Sequence, residues 1–197
     1  MDKDIQSEVI SNWAKKNKIE QVLMAGIHGI TEFKHDEKVH YLGEFKEKVL
    51  RMLSQQQVTE AALYPEIIGA LQDKRSTKMI INGSIGISSF EKYKKLAGKM
   101  NKPCTVRNDP EFNASTGLLV ISDEAVDIQV ITVEERSLRL KELGVPSILI
   151  NSAGKKVCET CLKQILEADP KENINYQELT FLDRIGGEKC PAHQVTY

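Results

Sequence analysis

Three of the four cysteines in this 197-residue sequence, and its last histidine, stand in two pairs near the end of the chain. Cys158-Glu-Thr-Cys161 is one pair, and Cys190-Pro-Ala-His193 follows after a 28-residue insert. A two-residue gap lets both ligands of a pair face one point on a tight turn, so two such pairs can build a tetrahedron. Three thiolates and an imidazole are soft donors that select zinc over magnesium or calcium. With all four positions filled by Cys158, Cys161, Cys190 and His193, no place is left for water. One zinc per chain would then hold a lobe together rather than catalyse.

Two other readings of the same residues stay open. Cys158 and Cys161 could be a thiol–disulfide couple, Cys158 attacking and Cys161 resolving, with Lys155 and Lys156 lowering a thiol pKa. That reading gives Cys190 and His193 no task. The third is that the cysteines are simply buried. Cys104, alone in an apolar stretch, reads as a core residue.

A second group of residues suggests phosphate contact. Lys92, Lys94, Lys95, Lys99, Lys102 and Arg107, interleaved with Phe90 and Tyr93, could neutralise an RNA backbone. Against this stands a solvated lysine-rich helix face with the two aromatics in the core. The turns Asn82-Gly83-Ser-Ile-Gly86 and Ser152-Ala-Gly154-Lys155-Lys156 read as strand-to-helix turns that could hold an anion, yet neither matches a phosphate-loop fingerprint. An enzyme would need a pocket, and the Asn82-Gly83 turn is where one is sought. His28, His35 and His40 near Asp36 and Glu37 fit no metal spacing, and no Ser/His/Asp order stands out.

The elements that must carry these groups can be read from periodicity. Ile5, Val9, Trp13, Ile19, Val22 and Leu23 form a loose helical stripe over 5–25. Val39, Leu42, Phe45, Val49, Leu50 and Leu53 predict a second helix from Asp36 to about Leu53, and Ile67, Ile68 and Leu71 a third over 64–73. Lys78–Gly83, Cys104–Val106 and Gly117–Ile121 predict strands, as do Gln129–Val133 and Ser147–Ile150. Ser88 and Glu91 have capping-box spacing for a helix from Ser89 to about Met100, and a charged helix covers about 134–142. Strands alternating with helices imply an α/β layer structure: a mixed sheet with covering helices.

After Asn151 charge rises and the Cys/His pairs appear. The boundary therefore falls near 151. Residues 1–150 form an α/β domain with an N-terminal helical extension, and 151–197 a small zinc-stapled lobe. The 41% hydrophobic and 28% charged content is that of a globular protein, and a net charge of −1 supplies no global field for nucleic acid or membranes. The polar start of the sequence and the lack of a long apolar run predict a cytoplasmic protein without membrane association.

The run Leu23–Gly29, then Asp36-Glu37, Tyr41-Leu-Gly-Glu-Phe-Lys-Glu-Lys-Val49 and Gln57-Val58, resembles the YueI family of Firmicutes proteins. The likeness continues through Tyr64, Ile81-Asn-Gly83, Tyr93, Leu96-Ala97, Thr105-Val106, Gly117–Val120 and Ala125-Val-Asp127, over about residues 19–140. The resemblance implies a compact α/β fold related to chorismate-mutase-like and L30e-like arrangements, and it implies no activity. A typical member ends soon after Ala125–Asp127, so the cysteine pairs lie in an addition. The reading as a whole is a non-enzymatic binding module for RNA or a protein partner.

Overall fold

Leu42 and Gly43 settle where the first helix stops. Both take positive φ, 51° and 86°, a conformation that ends a right-handed helix. Helix α1 (His35–His40) is therefore short, and a 3₁₀ turn at Lys46–Lys48 leads into strand β1 (Val49–Ser54). The expected long helix from Asp36 to Leu53 is corrected at this point. Val49, Leu50 and Leu53 are buried in a strand, where pairing with a neighbour overrides the helical spacing. The computed structural model describes residues 35–112 and 115–193, so the helix expected over 5–25 lies outside them.

Helices α2 (Gln55–Thr59) and α3 (Pro65–Gln72) follow, then β2 (Lys78–Asn82), α4 (Ile87–Lys99), β3 (Cys104–Arg107) and β4 (Thr116–Ile121). Ser54 starts α2 with a complete capping box to Gln57. Helix α4 starts after Gly86 without a side-chain cap, two residues before the expected start. The four strands lie in the order β1-β4-β2-β3. β4 runs antiparallel to both neighbours, and β2 and β3 are parallel, joined by the α4 crossover. The sheet is mixed.

All six β4 residues are buried, and side-chain alternation divides them between two faces. Leu118 and Val120 join Leu53, Ile67, Leu71, Ile81, Phe90 and Tyr93 under the helices. Leu119 and Ile121 join Leu42, Val49, Ile80 and Ile131 on the other face. Fully burying one such aliphatic side chain is worth about 1.5–3 kcal/mol. Gly117 lets β4 approach closely: a Cβ there would lie 2.7 Å from the Ser54 carbonyl oxygen.

Beyond β4 two expected strands are absent. Residues 129–133 make a single bridge, Thr132 to Met52. Ser147–Ile150 is helix α6, which begins after Pro146 and follows α5 (Arg136–Glu142). A four-residue apolar run carries no period that separates helix from strand, and the fixed φ of Pro146 favours a helix start. Then come β5 (Lys156–Val157), α7 (Glu159–Ala168), a 3₁₀ turn at Pro170–Ile174, β6 (Gln177–Glu178), α8 (Phe181–Ile185) and a last 3₁₀ turn at Pro191–His193. Leu140, Val145, Leu149 and Ile150 pack with Val157, Ile165 and Tyr176 in a separate apolar cluster, so α5 and α6 share their core with the cysteine-bearing segment. From Glu37 onward the described residues belong to one compact unit. No described helix is long and apolar enough to cross a membrane.

Candidate metal centre

Cys158 follows strand β5 and caps helix α7 at its N-terminus, with extended backbone at φ −68° and ψ 161°. Cys161 sits in the first turn of that helix and is buried. One turn of helix therefore places both thiols on one side. The distant pair is shaped by the last 3₁₀ turn, in which the His193 N–H donates to the Cys190 carbonyl at 3.0 Å. Between the pairs the chain is fixed by parallel pairing of β5 with β6 and by the Thr180–Asp183 capping box. Lys156 binds Asp183 and also lies 3.3 Å from Glu188.

The result is convergence of all four predicted ligands. Their donor atoms lie within 4.8 Å of one another. Cys158 Sγ is 3.4 Å from His193 Nδ1, Cys161 Sγ is 4.0 Å from the same nitrogen, and Cys161 Sγ is 3.8 Å from Cys190 Sγ. A tetrahedral zinc with bonds of about 2.3 Å to sulfur and about 2.0 Å to nitrogen has edges of roughly 3.5–3.8 Å. The spacing fits, and the group could hold a metal ion. Cys161 and Cys190 also pack in the apolar cluster of the lobe, so the inner side of the site is buried.

The thiols differ in acidity. Burial, then the neighbouring Cys158 and Cys190 thiols, pushes Cys161 up to about 12. Burial also opposes ionisation of Cys190, but backbone N–H groups of Cys158 and Ala192 and the two other thiols bring it down to about 7. Three thiols packed with one imidazole leave one proton-rich and one proton-poor sulfur, a mismatch that a dication would remove by ionising every thiol.

The six cations expected to meet RNA are not equivalent. Lys94, Lys95 and Lys99 are exposed on α4, Lys95 paired with Glu91 at 3.0 Å. Lys92 turns inward to the Glu60 carbonyl, and burial lowers its pKa to about 8. Lys102 donates to the Ser76 carbonyl, and Arg107 binds the Leu42 carbonyl and, at 2.7 Å, Glu44. Three of the six are thus engaged in holding the fold.

At the Asn82-Gly83 turn, Asn82 is buried and makes structural bonds. Its Nδ2 donates to the Phe112 and Thr116 carbonyls at 3.1 and 3.0 Å, and its Oδ1 accepts from the Ser84 N–H at 3.0 Å. A groove of about 440 Å³ lies elsewhere, with Pro65, Glu66, Gln72, Pro170, Lys171 and Ile174 in its lining. The Ser152–Lys156 turn follows a helix and enters β5, so it is not the strand-to-helix turn expected.

Sequence reasoning passed over a buried polar network that holds the lobe. Arg136 donates to Glu172 Oε2 at 2.9 Å, to the Ile150 carbonyl at 3.1 Å and to the Tyr176 hydroxyl at 2.7 Å. Arg139 binds Asp169 and, at 3.2 Å, Glu172. Asn175 pairs like a peptide with Leu63, accepting from its N–H at 2.7 Å and donating to its carbonyl at 2.9 Å. Apart from Ile150, 14 positions from Arg136, the partners stand 30 or more positions apart, and no spacing rule joins them; the one signal was Arg136 opening a helix that lacks any acidic residue in its first turn.

An α/β module with a mixed four-stranded sheet and an appended Cys/His lobe is the class these observations define. The chain belongs to the family described as "Protein of unknown function (DUF1694)", whose model matches residues 16–132. It is 27% identical over 120 residues to the uncharacterized protein YueI of Bacillus subtilis (strain 168), a match that covers 61% of this chain and 91% of that protein. The crystal structure of the YueI protein from Bacillus subtilis superposes with a TM-score of 0.50 at 27% identity, over 61% of this chain and 94% of the other. The YueI resemblance read from the sequence is therefore family membership. The four Cys/His residues all lie beyond the matched stretch.

Proposed function

We propose that this protein is a non-enzymatic binding module of the YueI type whose C-terminal lobe is stapled by one structural zinc. The convergence of Cys158, Cys161, Cys190 and His193, at separations near those of a tetrahedral zinc, carries the reading. All four donors come from the protein, which leaves no open position for a catalytic water. The added lobe begins at α5 rather than at 151, because Arg136 and Leu140 belong to its interior and the family match stops at 132. A third thiol and an imidazole beside the Cys158–Cys161 pair favour a metal over a dithiol couple. Protein rather than RNA is the favoured partner class, since only Lys94, Lys95 and Lys99 remain as outward cations of the six. Its polar composition and lack of a described membrane-crossing helix support a cytoplasmic setting.

Elemental analysis of the purified full chain tests the site. One zinc per chain is expected, lost when Cys161 and Cys190 are both changed to Ser. Metal-free native protein in which Cys158 reacts fast with a thiol reagent would overturn the staple in favour of redox chemistry.

A further inference from the structure

The two edges of the four-stranded sheet are treated differently. At the β1 edge Met52 bridges to Thr132, the Met52 N–H donates to the Ile131 carbonyl at 2.8 Å, and Arg51 donates to the Val130 carbonyl at 2.9 Å. That edge is covered. β3 ends the sheet on the other side, and no described segment pairs with its outer side. Met79 N–H donates to the Pro103 carbonyl at 2.9 Å and Gly83 N–H to the Arg107 carbonyl at 2.8 Å. Pro103, Thr105 and Arg107 therefore turn their backbone toward β2, and Cys104 and Val106 turn N–H and C=O outward. Thr105 and Val106 are exposed, Val106 by 37%. An uncovered edge is a template for another strand.

The charges around this edge say which strand fits. Cations lie toward its start: Lys94, close enough to Cys104 to act on its thiol, and Lys99, five residues ahead of the strand. Both are exposed, and neither has an ion-pair partner among the described residues. Just past its end stands exposed Asp109, whose Oδ1 accepts from the Glu111 N–H at 3.0 Å and whose charge faces no cation among the described residues. Arg107, the last residue of the strand, is paired with Glu44 at 2.7 Å, so the strand is positive at one end and negative at the other and complements itself when two copies run antiparallel. A symmetric dimer requires just such a self-complementary patch.

We propose that β3 is the interface of a two-fold dimer, in which a second copy of this chain adds its own β3 antiparallel and joins the two four-stranded sheets into one. Cys104 and Val106 supply the backbone donors and acceptors. The Lys94–Lys99 end of each strand meets the acidic end of the other copy. The strand has four residues, so the buried area falls at the small end of protein contacts, below about 1,200 Å², and the dimer is concentration-dependent.

Sedimentation equilibrium of the full chain, from micromolar to millimolar at low salt, tests this. The native protein is expected to pass from monomer to dimer across that range. Val106→Pro removes an outward N–H and leaves the β2 ladder intact, so it should abolish the dimer while circular dichroism stays unchanged. Lys99→Glu and Asp109→Lys should each weaken the dimer about tenfold, and the two together should restore it. A native protein that stays monomeric throughout leaves the edge to another occupant or to solvent and overturns the proposal. A dimer that survives Val106→Pro, or single reversals that the double reversal does not rescue, also overturns it.

Discussion

The sheet module and the C-terminal lobe hold together by different means. In the module, Met79, Ile80, Ile81 and Leu118–Ile121 are fully or almost fully buried, and both faces of the sheet are apolar. In the lobe, the cluster around Val157, Ile165 and Tyr176 is smaller and has Cys161 and Cys190 as members. Its centre is Arg136 bound to Glu172, with side chains only 3% and 0% exposed. Non-directional burial holds the module, and directional pairs hold the lobe. Such a lobe tolerates deletion of a partner poorly, because a buried charge left alone keeps its full desolvation cost.

The largest expected effect follows from that contrast. Arg136→Met should cost about 3 kcal/mol, toward the low end of what breaking a buried pair costs, because Glu172 loses its closest cation and keeps only Arg139 at 3.2 Å. Chemical denaturation should show it, and Arg136→Met combined with Glu172→Leu should recover much of the loss. If the double variant is no better than the single one, the pair is not the lobe's centre. In the module, Ile81→Ala should cost about 2–5 kcal/mol through a cavity under the helices, and added zinc should not alter that cost.

Metal removal should separate the two regions more sharply than either substitution. A strong chelator should open 159–189 to proteolysis and leave β1–β4 protected, because the proposed zinc would close that loop through the four Cys/His residues. Equal protection of the whole chain would end the staple idea. The smallest effect concerns Lys92. Its folded pKa, about 8, lies below the ordinary 10.5 because burial disfavours its charge. Its contribution is fully present above 10.5 and is lost as pH falls through 8, so stability should rise across that window. Lys92→Met should flatten that rise relative to the native curve, and an unchanged slope would place Lys92 in solvent.

Legibility followed the range of the interaction. The strands at 78–82, 104–107 and 116–121 and the helix at 65–72 are set by local apolar runs between turn residues, and they stand where periodicity put them. Val49–Ser54 was misread as helix because its apolar positions suit both periods, and pairing with β4 decided between them. Ser147–Ile150 was misread as strand because four residues carry no period. The Cys/His cluster was legible because ligand geometry demands short gaps within each pair, whatever the length between pairs. Sequence alone also carried the family, through the order of many individually weak matches.

Only the tertiary structure decided the rest. Whether the two Cys/His pairs meet depends on how β5, β6 and the last 3₁₀ turn pack, which no spacing specifies. Which lysines are free depends on carbonyls far along the chain, Glu60 for Lys92 and Ser76 for Lys102. The bond between Arg136 and Glu172 spans 36 residues. Residue types and short spacings are written locally and can be read locally. Burial and long-range pairing exist only once the chain has closed on itself, and they decided which segments share a core with the cysteines and which charges are spoken for.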